Sequence, residues 1–139
     1  MAASPEVVLR AWFEELWNQG KEETVDRLFA ADAVAHGLGG GDVVGPAGFK
    51  AFYRTFRTAF PDFHVEVLHT VTEGDMVAAC CHVTGVHRGP GMGAPSNAPV
   101  DFWGMTMARV RDGQMVEGWN TYDFMTCFQQ MGLLPQVAL

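Results

Sequence analysis

The spacing of large apolar residues changes at Pro61, and this change restricts the folds that the chain can adopt. Before Pro61, large apolar residues recur at steps of three and four, which is the spacing of amphipathic helices. After it, apolar residues follow a period of two, which is typical of β-strands. A run of helices followed by a run of strands predicts an α+β domain.

Three helices are predicted before Pro61. The first begins at Ser4, an N-cap residue that is followed by a proline and a glutamate. The second is expected over residues 22–33, and the third over residues 46–60, where aromatic side chains recur at helical spacing. A short strand that carries His36 and a glycine-rich loop separate the second helix from the third.

Four antiparallel strands are predicted after Pro61. They occupy residues 63–74, 75–89 and 99–125, and the last segment turns at Arg111–Gln114 into a hairpin. A length of 139 residues fits one domain, so residues 1–139 are expected to fold together. The prediction is a curved antiparallel sheet with three N-terminal helices packed on it, enclosing an apolar, cone-shaped cavity.

Soft and aromatic side chains are abundant, with 10 Phe, 8 Met and 4 Trp in the chain. Such residues form cores, but in a small domain they also suit the lining of an apolar cavity. We therefore expect a pocket for a small apolar molecule. Its predicted lining is Phe13, Trp17, Tyr53, Phe56 and Phe60 from the helices and Trp103, Met105, Met107 and Trp119 from the strands.

The strand that carries Trp103 is largely apolar on both faces, so its alternation does not fix which face looks into the cavity. A sheet with two apolar faces and one helical layer leaves one face without cover. The sequence therefore predicts a homodimer that buries this second face.

Charge and motifs exclude several classes of function. There are 16 acidic and 9 basic residues, a formal net charge of −7 without a basic cluster, which argues against nucleic acid and anionic membrane partners. No run of 18 apolar residues and no signal peptide is present, which predicts a cytoplasmic protein. No metal-ligand, dinucleotide or phosphate-loop motif occurs, so no metal and no cofactor is expected. Cofactor-free acid–base chemistry or plain binding remains.

Asp123 is an acid among aromatic residues near the end of the last strand, and on that strand it shares a face with Trp119 and Thr121. One interpretation is an N-cap for the helix that follows. The other is a general base, because burial in an apolar pocket raises a carboxyl pKa toward the range useful for proton transfer. The sequence leaves both interpretations open.

Three of the five histidines are candidates for a place near the cavity. His82 stands in an otherwise apolar strand, and His36 directly follows three apolar residues. His87 lies where a strand enters a loop rich in glycine and proline, near the expected cavity mouth. From their positions, these three are the histidines expected at the cavity or its mouth.

Several segments resemble one known family. "AFPD" at residues 59–62, "EGDMV" at 73–77 and "WNTYDFMTCFQQMG" at 119–132 match, in order, successive blocks of the SnoaL-like polyketide cyclases, also called ester cyclases. The resemblance covers nearly the whole chain. It implies the α+β cone, also called cystatin-like, that this family shares with ketosteroid isomerase.

The resemblance also implies an activity, an intramolecular aldol condensation that closes a ring of an aromatic polyketide ester without metal or cofactor. The acid/base aspartate of the family falls on Asp123, beside a wall shaped by Trp119. The resemblance further implies that a histidine, for which His36, His82 and His87 are the candidates, polarises the carbonyl or supplies a proton. It also implies a small apolar substrate that is polycyclic or carbonyl-rich.

Two alternatives remain: a non-catalytic small-molecule binding module, or a hydroxylase or epoxide hydrolase variant. Epoxide hydrolysis needs an Asp-Arg-Asp set, but a regular strand would separate Asp101 from Arg109 by about 26 Å.

Overall fold

The structure is a computed structural model, and it describes residues 3–136. The first helix runs as α1 (Pro5–Ala11) and continues as a π-helical segment (Trp12–Asn18). The other helices are α2 (Thr24–Leu28), α3 (Gly45–Ala59) and α4 (Phe124–Gln130). The strands are β1 (Phe29–His36), β2 (Val43–Val44), β3 (His64–Glu73), β4 (Met76–Val86), β5 (Pro99–Arg111) and β6 (Gln114–Tyr122). The α+β class is confirmed.

One curved sheet contains the six strands, in the order β2-β1-β6-β5-β4-β3. The last four strands of the chain are paired antiparallel with their sequence neighbours, as predicted. The pairing of β1 with β6 is parallel, which corrects the prediction of a purely antiparallel sheet. The parallel pairing arises from the chain path: α3 crosses over from β1 to the far side of the sheet. The strands β3, β4 and β5 then lead back, so that β6 lies beside β1 and runs in the same direction.

The second helix is shorter than predicted. Helix was expected over residues 22–33, but α2 ends at Leu28 and β1 starts at Phe29. The segment that follows is rich in alanine, which favours helix locally. Pairing with β6 along this segment outweighs that preference, since local propensity is only a weak influence on a segment with partners in the fold.

The first helix begins as predicted, because the Ser4 hydroxyl accepts a hydrogen bond from the backbone N–H of Val7 at 3.3 Å. From Trp12 onward the helix widens into a π-helix, in which the backbone N–H of Gln19 donates to the carbonyl of Glu14 at 3.0 Å. The π-helical segment buries Trp12, Phe13, Leu16 and Trp17.

The core lies between the helices and one face of the sheet. On β5, Phe102, Thr106 and Ala108 are buried against this core, whereas Trp103 and Met105 are exposed on the opposite face. The structure therefore identifies the face of β5 that looks toward the helices, which the sequence left undecided. We call the face that carries Trp103, Met105 and Met107 the outer face of the sheet.

Candidate functional site

A cavity lies between the helices and the inner face of the sheet. It encloses about 680 Å³ of space not filled by atoms, its opening to solvent included. Its lining is almost wholly apolar and aromatic. The lining residues are Trp12, Phe13, Trp17, Phe29, Ala35, Leu38, Phe49, Phe52, Phe56, Phe63, Val65, Val83, Phe102, Thr106, Ala108, Met115, Gly118, Asn120, Tyr122 and Phe124.

Lining residues that are only half-buried mark the opening of the cavity. Leu38 belongs to the glycine-rich loop, Phe52 to α3 and Phe124 to the first turn of α4. Asn120 and Tyr122, both on β6, are half-buried as well. The opening therefore lies where the glycine-rich loop, α3, α4 and the end of β6 meet.

A short chain of hydrogen bonds forms the polar part of this lining, which we call the polar wall: Thr106, Asn120 and Tyr122. The Thr106 Oγ1 lies 2.8 Å from Asn120 Oδ1 and 2.9 Å from the Tyr122 hydroxyl oxygen. The Asn120 Nδ2 donates to the backbone carbonyl of His36 at 3.0 Å. Strand pairing sets this arrangement, since Thr106 and Asn120 lie opposite each other on β5 and β6.

Gly104 provides the space for the Tyr122 ring. It pairs with Tyr122 on one side and with Cys81 on the other, so these three residues form one row across the sheet. A Cβ atom at Gly104 would lie 2.1 Å from Cδ2 of the Tyr122 ring. Because real Cβ contacts are never this short, the ring lies over β5 only where the sequence has glycine.

Tyr122 is the titratable member of the polar wall. Burial raises the pKa of its hydroxyl well above 10, so this group is a neutral phenol across the ordinary pH range. Burial likewise raises the pKa of the neighbouring Cys81 thiol. Among the described residues, the lining has no Asp, Glu, His, Lys or Arg side chain. The cavity is thus an apolar space with neutral hydrogen-bonding groups on one side.

The residues predicted to line the pocket divide into three groups. Phe13, Trp17 and Phe56 are in the lining. Tyr53 and Phe60 are buried in the core, where the Tyr53 hydroxyl donates to the Leu16 carbonyl at 3.0 Å. The expectation for the four strand residues is wrong, because the pleat of β5 and β6 turns their side chains to the outer face. These four residues are Trp103, Met105, Met107 and Trp119.

Asp123 lies outside the cavity. It is exposed and forms the N-cap of α4, where its carboxylate accepts hydrogen bonds from Thr126 N at 3.0 Å and from Thr126 Oγ1 at 2.6 Å. These two hydrogen bonds lower the pKa of the carboxyl. The expectation of a raised pKa in an apolar pocket is therefore wrong, and the helix-cap interpretation describes the observed contacts.

The candidate histidines are separated from each other and none is in the lining. His82 lies on the outer face, stacked on Trp103 with ring centroids 4.6 Å apart, and its Nε2 is 2.6 Å from Asp101 Oδ1. His36 joins two carboxylates, with Nδ1 2.9 Å from Asp42 and Nε2 2.7 Å from Glu117. The expected cavity positions of both residues are corrected.

His87 was expected near the cavity mouth, but it is almost fully buried inside its own loop. Its Nε2 lies 2.9 Å from the Gly91 carbonyl, and its Nδ1 lies 2.9 Å from the Ser96 hydroxyl and accepts from the Ser96 backbone N–H. The carbonyl can only accept and the backbone N–H can only donate, so Nε2 of His87 is the donor and Nδ1 is the acceptor in these contacts. It organises the loop between β4 and β5.

The sequence arguments missed the polar wall, although a signal was present. Asn120 and Tyr122 alternate with Trp119 and Thr121, so they were assigned together to the face opposite Asp123. The acid–base argument was centred on Asp123 and therefore on the other face of this strand pattern. Gly104, a glycine in the interior of a strand, is the pattern that indicates close approach by another group.

Metal and membrane features can be described for residues 3–136. Within this range, no group of three or more His, Cys, Asp or Glu side chains is arranged to hold a metal ion. No helix in the same range is long and apolar enough to cross a membrane.

Together, the curved six-stranded sheet, the helices on one face and the apolar cavity between them define a ketosteroid isomerase-like α+β cone. A protein of this fold from Catenulispora acidiphila DSM 44928, solved with trimethylamine, superposes with a TM-score of 0.77. It is 22% identical, and the alignment covers 99% of this chain and 100% of that one. This similarity shows the fold.

The chain belongs to the SnoaL-like polyketide cyclase family, whose model matches residues 7–131. IdmH from Streptomyces antibioticus, a candidate polyketide cyclase, is 31% identical over 94% of this chain and 99% of its own, with a TM-score of 0.82. AclR from Streptomyces galilaeus, a candidate hydroxylase, is 25% identical over 96% and 88%, with a TM-score of 0.83. No protein in the curated set matches the chain at a significant level.

Proposed function

We propose that this protein binds an apolar, aromatic, oxygen-bearing small molecule in its cavity and promotes an intramolecular cyclisation of it. The half-open aromatic cavity with its single polar wall carries this proposal. Aromatic walls favour a flat, conjugated ligand through burial of apolar surface and ring stacking. Membership in a cyclase family and similarity to IdmH support ring closure as the type of reaction.

The chemistry proposed for the cavity differs from the one first expected. In an aldol closure, a carbon between two carbonyls loses a proton, its electron pair forms a bond to a carbonyl carbon, and the carbonyl oxygen gains a proton. Asp123 is outside the cavity, so solvent water at the half-open mouth accepts the first proton and supplies the last. The protein contributes by holding the two reacting carbons together in a folded substrate, which lowers the entropic part of the barrier.

Asn120 adds an electrostatic contribution. Its Nδ2 carries two hydrogens, and among the described residues only the His36 carbonyl accepts one of them. The second hydrogen remains for a ligand oxygen. A donor in an apolar site stabilises the negative charge that develops on the carbonyl oxygen as the new bond forms.

A second candidate function is non-catalytic binding of the same class of molecule. It is favoured by one observation: Tyr122, the titratable group in the described lining, stays neutral, so no side chain there accepts a proton at neutral pH. For the epoxide hydrolase alternative, the required Asp-Arg-Asp side chains are not in the cavity lining. Neither Asp101 nor Arg109 is in the lining: Asp101 contacts His82, and Arg109 pairs with Asp75 at 2.8 Å.

We also propose that the protein is a homodimer through the outer face. Trp103 is 51% exposed and Met105 is 56% exposed there. Large apolar side chains grouped on one open sheet face are typical of an interface. Burying the face would leave the cavity, on the opposite side of the sheet, free to open to solvent.

The test is ring closure of a linear aromatic polyketide ester that contains a carbon between two carbonyls, followed by chromatography and mass spectrometry. The variant Leu38→Trp fills the cavity opening from the glycine-rich loop and should lower kcat/KM at least about tenfold. The matched control is Val7→Trp, on an exposed position of α1 remote from the lining.

The possible results are distinct. Turnover that is lost only in Leu38→Trp supports the cyclase proposal. Binding of the ester without turnover supports the non-catalytic module instead. Equal turnover in Leu38→Trp and Val7→Trp overturns the assignment of the reaction to this cavity.

A further inference from the structure

The polar wall has a fixed direction of hydrogen bonding, which can be derived by counting hydrogens. The backbone carbonyl of His36 can only accept, so the group of Asn120 that faces it is the amide nitrogen. The amide oxygen of Asn120 therefore faces Thr106. Because an amide oxygen has no hydrogen, the Thr106 hydroxyl donates its single hydrogen across the 2.8 Å contact.

The same count of hydrogens then determines whether Tyr122 donates or accepts. With the Thr106 hydrogen already given to Asn120, the 2.9 Å contact between the two hydroxyl oxygens requires Tyr122 to be the donor. The phenol has only one hydrogen, and it is held by Thr106. Toward the cavity, Tyr122 consequently presents oxygen lone pairs.

We propose that Tyr122 is a specificity residue that accepts a hydrogen bond from a hydroxyl group on the ligand, so the cavity selects phenols or alcohols over the corresponding ethers and ketones. This inference rests on the proposed function of the cavity as a small-molecule site and narrows its ligand class. A hydroxyl at this point of an aromatic ligand finds an acceptor, whereas an ether oxygen there would face another oxygen.

The surroundings favour this role. Tyr122 is a neutral phenol because burial keeps its pKa high, so its hydrogen stays on the oxygen and in the bond to Thr106. The Cys81 sulfur beside it is both a weak donor and a weak acceptor, so it competes little with Thr106 for the phenol hydrogen or with a ligand hydroxyl for the phenol oxygen. Gly104 holds the ring over β5, which fixes the direction of the phenol oxygen.

The first experiment compares two probes of the same shape, 2-naphthol and 2-methoxynaphthalene, by isothermal titration calorimetry. The wild-type protein should bind 2-naphthol about three- to tenfold more tightly, the range expected for one net hydrogen bond. In Tyr122→Phe this preference should vanish through weaker binding of the naphthol. Tyr53→Phe is the matched control, because Tyr53 is the other tyrosine of the chain and donates to a core carbonyl.

A second pair of variants tests the direction of the hydrogen bonds. Thr106→Val removes the acceptor of the Tyr122 hydrogen, so that hydrogen becomes available to the ligand. The preference should narrow or reverse toward 2-methoxynaphthalene. Thr106→Ser keeps the hydroxyl and should restore the wild-type preference. A purely structural role of Thr106 would weaken the two probes equally.

The results separate the failure of this proposal from failure of the proposed function. If the wild type binds the two probes equally, or binds the ether more tightly, the acceptor role of Tyr122 is overturned while the binding cavity stands. A preference that persists in Tyr122→Phe overturns it as well. If neither probe binds at millimolar concentration, the cavity is not an aromatic ligand site and both proposals fail.

Discussion

Asn120 and Asp123 lie three residues apart, yet the strand ends between them and gives them different environments. Asn120 is on β6, where the pleat directs it to the polar wall. Asp123 follows the last strand residue and caps α4. At the scale of single residues, the cavity therefore contains an amide where an acid was expected, and an amide donates hydrogen bonds without taking a proton.

Two substitutions of Asp123 distinguish a cap from a base. Asparagine is as good an N-cap as aspartate, so Asp123→Asn should lower the free energy of unfolding by less than about 0.5 kcal/mol and leave cyclisation intact. Asp123→Ala removes the cap and should cost about 0.5–2 kcal/mol, measured by urea denaturation. Loss of cyclisation in Asp123→Asn, with the fold preserved, would restore the carboxylate as the base.

His36 gives a prediction about pH. The hydrogen bonds that its ring donates to the carboxylates of Glu117 and Asp42 raise its pKa above 6.5. A raised pKa in the folded state means that this stabilisation is complete below about 6.5 and disappears as the pH rises through the folded value. Thermal denaturation should therefore show a gap in Tm between wild type and His36→Gln at pH 6 that shrinks by pH 9.

The control for this titration is Asp42→Asn, which removes one of the two carboxylates that accept a hydrogen bond from the His36 ring. This variant should move the His36 pKa back toward 6.5 in an NMR titration. A gap in Tm that stays constant between pH 6 and pH 9 would show that the histidine acts through packing on Trp119, whose ring lies 5.9 Å away. Because His36 and Asp42 flank the loop that carries Leu38, the same titration reports on the rim of the cavity.

At the scale of elements, strands were easier to predict than the faces they present. The hairpin at Arg111–Gln114 and the third helix follow from local turn and periodicity signals. The end of α2 at Leu28 does not, because pairing with β6 decides it. Local signals also do not identify the inner face of β5. Each face of this strand has enough apolar residues to be buried, and packing against the helices determines which one is.

Gly104 links two strands in a way that one substitution can test. Gly104→Ala would place a methyl group 2.1 Å from the Tyr122 ring, so the ring must move and its bond to Thr106 must break. We expect a loss of about 1–3 kcal/mol in the free energy of unfolding, measured by urea denaturation. Gly104→Ala should also abolish the preference for 2-naphthol, because the Tyr122 hydroxyl would no longer be held in place by Thr106.

Gly85→Ala is the matched control, because its Cβ would meet its nearest neighbour, Phe60 Cδ1, at an ordinary 3.5 Å. It lies on β4 of the same sheet. If both alanine variants keep wild-type stability and selectivity, Gly104 does not position the phenol.

At the scale of the whole molecule, the sheet separates two surfaces with different surroundings. The inner face and the helices enclose the cavity, whereas the outer face carries exposed Trp103, Met105 and Met107. The family and the cone were predictable because their motifs extend along nearly the whole chain, from residue 7 to residue 131. The residues of the candidate site were not predictable, because they depend on which of the two apolar faces of the sheet the helices cover.

The homodimer proposal is tested on the outer face. Met105→Glu places a charge in the middle of that face and should convert a dimer into a monomer, measured by size-exclusion chromatography with light scattering. Val7→Glu is the control, since Val7 is 57% exposed on α1, in the helical layer. A wild-type protein that is monomeric at micromolar concentration would contradict the proposal.

The alternation along β5 has a practical consequence for protein engineering. Even-numbered positions such as Phe102 and Thr106 face the cavity, and odd-numbered positions such as Trp103 and Met105 face away from it. A single thirteen-residue strand can thus be randomised as two independent libraries, one that changes the cavity lining and one that changes the exposed outer face. Gains found in either library should combine additively, because the backbone of the strand separates the two sets of side chains.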